Sequence, residues 1–68
     1  MTSDEYRDTL KRLGLSQAGA SRFLGVHEVT SRKWATGKVA VPPTVSILLR
    51  LMIAMKLTPE KVKEWLGE

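Results

Sequence analysis

One stretch of the sequence, residues 15–42, constrains the fold most, because it holds two short helical segments separated only by residues 25–27. Ser16 offers a side-chain oxygen to the free N–H groups that open the first segment. Gly25 ends that segment, since glycine adopts the left-handed backbone conformation without a Cβ penalty. Two helices joined this tightly must cross steeply, and the pattern is typical of a helix-turn-helix.

Small side chains are needed where crossing helices approach each other closely, and Ala20 and Ser21 occupy that position in the first segment. The residues expected to close the core around the crossing are Leu24, Val26 and Trp34. The pattern therefore predicts that the first segment packs directly on the second.

The second segment divides into two faces when its residues are placed at 100° intervals. The inner face is predicted to consist of Thr30, Ser31 and Trp34, and the outer face of Glu28, Val29, Arg32 and Lys33. Any surface helix has a solvated charged face. Here the charged face coincides with a tight turn, small crossing residues and two adjacent cations, which favours a binding surface.

At these residues the chain resembles the DNA-binding domain of the Cro/phage-repressor (XRE-like) helix-turn-helix family. The resemblance covers about residues 15–49, and the matching positions are Gln17, Ser21, Leu24, Gly25, Val26, Trp34, Gly37 and Pro42. Two positions depart from the family pattern. Ser31 stands where Val or Ile is usual, which implies thinner packing beneath the recognition helix, and His27 stands where Ser or Thr usually caps that helix.

The fold that this resemblance implies is an all-α, lambda-repressor-like domain of five short helices. Local signals agree with it: Thr2 and Glu5 fit a capping box, and Thr58 precedes a proline at a favoured helix start. We expect one domain over residues 1–68, with helices at about 3–13, 17–24, 28–36, 43–56 and 59–66.

The composition excludes several classes of function. The chain has no cysteine and a single histidine, so a disulfide framework and a metal-ligand cluster are not expected. It has no glycine-rich phosphate loop and no nucleophile–base constellation, so we expect neither an enzyme nor a small-molecule substrate or cofactor.

The charge distribution favours a polyanionic partner. Residues 9–56 contain eight Lys and Arg residues against a single acidic residue, Glu28, which gives a net charge of +7. Residues 1–8 carry −2 and residues 57–68 carry −1. A basic centre with acidic ends is typical of a surface that faces nucleic acid. The acidic, polar start is unlike a signal peptide, so we expect a cytoplasmic protein.

The segment at about residues 43–56 is the most apolar part of the chain, with only a narrow polar strip near Ser46 and Arg50. A membrane span would need about 20 uninterrupted apolar residues, and charged residues break this run too early. We therefore expect two buried faces, one against the preceding helices and one against the last helix, a second copy of the chain, or both. The residues predicted to form a homodimer interface are Leu48, Leu51, Met52, Met55, Val62, Trp65 and Leu66. Packing within one chain alone is the alternative.

The resemblance also implies sequence-specific binding to double-stranded DNA, with the second motif helix in the major groove. The residues expected to contact bases are His27, Glu28, Val29, Thr30, Arg32 and Lys33, and those expected to contact phosphates are Ser16, Gln17 and Lys38. Arg32 or Lys33 would donate to guanine, and Glu28 would accept from cytosine.

Small proteins of this family typically repress transcription as dimers on inverted repeats, often at the promoter of their own operon in phages and other mobile elements. An anti-CRISPR-associated autoregulator would be one such case. The alternative is a protein-binding module, such as an antitoxin or an adaptor, that presents its apolar fourth helix to a different protein.

Overall fold

The computed structural model describes residues 1–67 of the chain and is all-α within that range, as predicted. Glu68, which belongs to the predicted domain, lies outside the described residues. The five helices are α1 Ser3–Arg12, α2 Gln17–Leu24, α3 Glu28–Thr36, α4 Pro43–Ala54 and α5 Pro59–Trp65. None of the helices in the described residues has the length and apolar character that a bilayer span requires.

Side-chain caps fix the starts of three helices at the positions expected from the sequence. The Thr2 hydroxyl accepts from the Glu5 N–H (3.1 Å), and the Glu5 carboxylate accepts from the Thr2 N–H (3.3 Å), which completes the capping box of α1. Ser16 caps α2, and Thr58 caps α5 by accepting from the Lys61 N–H (3.1 Å). These caps satisfy N–H groups that have no partner within their own helix.

Three helices are shorter at their carboxyl ends than the sequence pattern predicts. Helix α4 ends at Ala54 because Lys56 takes a left-handed conformation (φ 55°) and the next N–H, of Leu57, donates back to the Met52 carbonyl (2.8 Å). A backward bond of this kind closes the final turn and directs the chain away from the helix axis. Helices α1 and α5 each end one residue early, since Leu13 and Leu66 serve as their C-caps.

The core lies where α1 packs on α3 and α4 and where α2 packs on α3. Tyr6 and Trp34 form its aromatic centre, with ring centroids 5.8 Å apart and ring planes 88° apart. This edge-to-face arrangement is a favourable geometry for aromatic pairs. The other buried apolar side chains are Leu10, Ala20, Ala35, Val41, Leu49 and Met52. Helix α3 therefore packs against both α1 and α2.

The structure corrects two expectations about α4 and qualifies one about α5. Met52 was expected at a dimer interface, but it is 1% exposed and belongs to the core of its own chain. Ser46 was expected in a polar strip, but it is 5% exposed, and its hydroxyl has no hydrogen-bond partner among residues 1–67. On α5, Val62 is half-buried and packs against the core, so only part of its side chain is available to a partner.

The opposite side of α4 is apolar and exposed. Its residues Ile47, Leu48, Leu51 and Met55, here called the apolar face of α4, fall within an arc of about 100° on the helix. Trp65 and Leu66, at the end of α5, are also exposed. Of the two faces of α4 that were expected to be buried, one is therefore buried in the core and the other remains open in the single chain.

Candidate nucleic-acid interface

Helices α2 and α3 meet through a three-residue connection whose geometry follows from its sequence. The Ser16 hydroxyl accepts from the Gly19 N–H (3.0 Å) at the start of α2. At its end, Gly25 has φ 72° and ψ 31°, a left-handed conformation that favours glycine. The N–H of Val26 then donates to the Ser21 carbonyl (2.9 Å), so the connection is tied to the end of α2. Ala20 and Ser21 are buried, as expected for the place where the two helices approach each other.

The two faces of α3 are divided as the helical spacing predicts. On the inner side, Ser31 is 0% exposed and Trp34 is buried, while Thr30 is partly buried. The outer face of α3, defined as Glu28, Val29, Arg32 and Lys33, is exposed throughout. His27 is exposed at the N-cap position and makes no side-chain cap hydrogen bond. Of the six residues predicted to contact bases, Thr30 is thus the least accessible.

Two side chains of the outer face contact each other. Arg32 Nη2 lies 3.2 Å from Glu28 Oε1, one helical turn apart, and both side chains are exposed. An exposed pair of this type contributes only about 0.3–0.5 kcal/mol to helix stability. The pair mainly affects the charge of the outer face, because Arg32 offsets the negative charge of Glu28. Lys33 makes no ion pair within residues 1–67.

A chain of three polar side chains connects the core to the first residue of α2. The Tyr6 hydroxyl lies 2.6 Å from Ser31 Oγ, and the Ser31 hydroxyl donates to Gln17 Oε1 at 2.8 Å. Tyr6 and Ser31 are both fully buried, whereas Gln17 is only half-buried. Burial raises the pKa of the Tyr6 hydroxyl, so this group is a neutral hydrogen-bonding partner at physiological pH.

The sequence predicts thin packing at Ser31 but gives no indication of these two hydrogen bonds. Tyr6 and Ser31 are 25 positions apart, and their contact depends on how α1 docks against α3. The one sequence signal for this contact is a serine on the inner face of a helix, since a buried hydroxyl needs a partner and the chain has a single tyrosine to supply one. The contact between Arg7 and α3 could not be predicted for the same reason. Arg7 donates to the carbonyl of Ala35 near the end of α3, and it also pairs with Asp4 on its own helix.

The predicted phosphate-contacting residues lie on two different elements. Ser16 and Gln17 open α2, where free N–H groups and the helix dipole attract an anion. The α1 residues Arg7 and Lys11 line the same shallow groove as Gln17, although Asp8 lines it too. Lys38 is exposed in the connection after α3, just beyond Gly37. Within residues 1–67, no hydrogen bond or ion pair joins Lys38 to Ser16 or Gln17.

The chain was compared with protein-family models, with curated proteins and with solved structures, and none of the three comparisons found a match.

Proposed function

We propose that this protein is a sequence-specific regulator of transcription that binds double-stranded DNA by placing α3 in the major groove. The observation that carries the proposal is the exposed outer face of α3. Arg32 and Lys33 extend from a helix whose opposite side is anchored in the core by Ser31 and Trp34. A rigidly held helix with accessible cations matches the width and the negative charge of the major groove.

The charge distribution supports the same proposal. The basic centre of the sequence, residues 9–56 with a net charge of +7, contains α2, α3 and their connections. Contacts of Lys and Arg with phosphates release bound counterions, so they supply sequence-independent affinity. In this proposal Ser16, Gln17 and Lys38 contact phosphates, and the outer face of α3 together with His27 and Thr30 contacts bases.

Glu28 has a specific part in this arrangement. A carboxylate close to DNA phosphates is repelled by them, so it would lower affinity unless a nearby cation offsets its charge. The contact with Arg32 supplies that cation. We infer that Glu28 contributes to discrimination by accepting from cytosine N4 and excluding other bases, and that Arg32 donates to a neighbouring guanine.

The proposed active form is a homodimer on an inverted repeat. The apolar face of α4 is exposed in the single chain, and so are Trp65 and Leu66. A two-fold contact through these residues would present two copies of α3 to half-sites about one helical turn apart. Such a dimer would act in the cytoplasm as a repressor that covers a promoter, in the manner of phage autorepressors, of which an anti-CRISPR-associated regulator is one kind.

The apolar face of α4 also favours a second candidate function. An exposed apolar helix face can receive a different protein, so the chain could instead be a protein-binding module such as an antitoxin or an adaptor. The two candidates differ in their dependence on salt. A DNA-binding regulator should lose affinity for random-sequence duplex linearly on a log–log plot as salt rises, with a slope of about −0.9 for each phosphate neutralised.

The experiment that tests the proposed function is that salt titration, followed by selection of bound duplexes from a random pool. We expect a steep slope and recovery of a palindromic sequence. Weak binding to duplex DNA that does not change with salt would contradict the proposed DNA-binding function and favour the protein-binding module. A matched control is the Lys63→Ala variant, which removes one exposed cation from α5 and should leave the slope unchanged.

A further inference from the structure

The hydrogen-bonded chain from Tyr6 through Ser31 to Gln17 has a definite direction. The Gln17 Oε1 atom can only accept, so the single hydroxyl hydrogen of Ser31 is used in that contact. Ser31 Oγ must then accept from Tyr6, because its own hydrogen is already committed. The Tyr6 hydroxyl therefore donates to Ser31, and the Ser31 hydroxyl donates to Gln17.

This direction determines which atom of the Gln17 carboxamide is held by Ser31. The oxygen and nitrogen atoms of a carboxamide are bonded to the same trigonal carbon, and here the oxygen is the atom that Ser31 holds. The nitrogen, with its two N–H donors, therefore projects in a different direction from the Ser31 contact, on a side chain that is only half-buried. Donors at this position complement an anion, whereas the opposite orientation would present a carbonyl oxygen, which repels one.

We propose that Ser31 and Tyr6 are positioning residues that hold the Gln17 amide with its donors toward a phosphate of the DNA backbone. The inference rests on the proposed function and adds two buried residues to the site that it describes. Ser16 opens the same helix, and the groove that Gln17 lines also holds two α1 cations, Arg7 and Lys11, against one carboxylate, Asp8, so the surroundings of this helix start favour an anion. Neither Ser31 nor Tyr6 touches the DNA in this arrangement.

The alternative is that the two hydrogen bonds among Tyr6, Ser31 and Gln17 only stabilise the fold. A double substitution can separate this structural role from the positioning of Gln17. Replacing both members of a buried hydrogen bond with apolar groups of similar shape is close to neutral for stability. A Tyr6→Phe/Ser31→Ala double variant should therefore remain folded, since it leaves no buried hydroxyl without a partner at this position. What it removes is the group that fixes the orientation of Gln17.

The first readout uses nuclear magnetic resonance of the whole chain. Gln17 is the only Gln and the chain has no Asn, so its side-chain N–H₂ group gives the single carboxamide signal pair in a ¹⁵N-labelled sample. We expect this pair to shift when a short random-sequence duplex is added, and the shift to shrink in the double variant. The matched control is Ser46→Ala, which makes the same chemical change at a buried serine that has no link to Gln17 within residues 1–67.

The second readout is a double-mutant cycle on duplex affinity at low salt. We expect the Tyr6→Phe/Ser31→Ala change to weaken binding about tenfold, the equivalent of one hydrogen bond to a charged group. In a Gln17→Ala background the same change should have almost no further effect. A melting curve of each variant establishes the temperature at which all of them are folded.

The possible outcomes distinguish this inference from the proposed function. If the unmodified chain binds duplex without salt dependence, the proposed function fails, and the inference fails with it. If the unmodified chain binds as proposed but the losses from Gln17→Ala and from the double variant are additive, only the inference is overturned. Coupled losses, together with a reduced shift of the Gln17 signals, support it.

Discussion

Arg32 and Glu28 contact each other on the outer face of α3, with 3.2 Å between guanidinium nitrogen and carboxylate oxygen. Both residues are predicted to contact bases. In the single chain, the guanidinium and the carboxylate are each other's partner. An exposed pair of this kind is weak, so the carboxylate favours one position of the guanidinium without holding it there. Lys33, by contrast, makes no ion pair among the described residues.

Replacement of Arg32 by alanine tests direct base readout. We expect Arg32→Ala to cost about 1–3 kcal/mol of binding free energy, mainly at one base pair of each half-site, because a bidentate contact with guanine would be lost. The measurement is a competition series over all single-base variants of the selected operator. Because Arg32 also offsets the charge of Glu28, the same change is made in a Glu28→Gln background, where equal weakening on every sequence would instead assign Arg32 to the DNA backbone.

Replacement of Lys38 should give the opposite pattern. Lys38 is exposed beyond the end of α3, and we expect it to contact a phosphate. The Lys38→Ala variant should lose affinity uniformly across sequences, and its log–log salt slope should be shallower by about one, because one fewer counterion is released. Unchanged affinity on all duplexes would remove Lys38 from the interface.

The boundaries of the two motif helices could be predicted from the sequence because their signals are local. Ser16 caps α2, while Gly25 and Gly37 end α2 and α3 in left-handed conformations, so 17–24 and 28–36 agree with the structure. The end of α4 could not be predicted in this way. It depends on Lys56, a residue type that gives no indication of a left-handed conformation.

The long-range contacts of the candidate site could not be predicted for a different reason. The partnership between Tyr6 and Ser31 depends on the docking of α1 on α3, and sequence spacing within one helix carries no information about it. The same holds for α4, where apolar residues surround most of the helix. Spacing alone did not indicate that Met52 faces the core while Leu51 stays exposed.

The buried hydroxyl of Ser46 is a site where a substitution should stabilise the fold. It has no hydrogen-bond partner within residues 1–67, and a buried polar group in that state is destabilising. We expect Ser46→Ala to raise the free energy of unfolding by about 1 kcal/mol, measured from the midpoint of urea unfolding. Ser31→Ala should act in the opposite direction, because it leaves the Tyr6 hydroxyl buried without its partner. A lower midpoint for Ser46→Ala would contradict the assignment.

Acid should weaken the contacts that Glu5 makes. The backbone N–H of Thr2 and, next, the side chain of Arg50 (3.2 Å) hold the pKa of the Glu5 carboxyl below its ordinary value of 4.5. A carboxylate whose pKa is lower in the folded state stabilises the fold above pH 4.5, and that contribution is lost as the pH falls through the lowered pKa. The difference in melting temperature between pH 7 and pH 3 should therefore be smaller for Glu5→Gln, which keeps the cap but not the charge. Equal differences would show that Glu5 contributes nothing to the pH dependence.

The apolar face of α4 provides the test of the proposed dimer. Leu51 lies in the middle of this face and is 50% exposed, so the single chain tolerates a charged residue there at little cost. In a two-fold contact, however, Leu51→Glu would bury two carboxylates close to each other, and desolvation together with repulsion would oppose association. We expect sedimentation equilibrium to give a dimer for the unmodified chain and a monomer for Leu51→Glu, while helical content is unchanged. The matched control, Val39→Glu, makes a similar change at an exposed residue outside this face and should leave the dimer intact. A dimer that persists in Leu51→Glu would show that the two copies meet elsewhere, and the exposed face would then be open to a different protein.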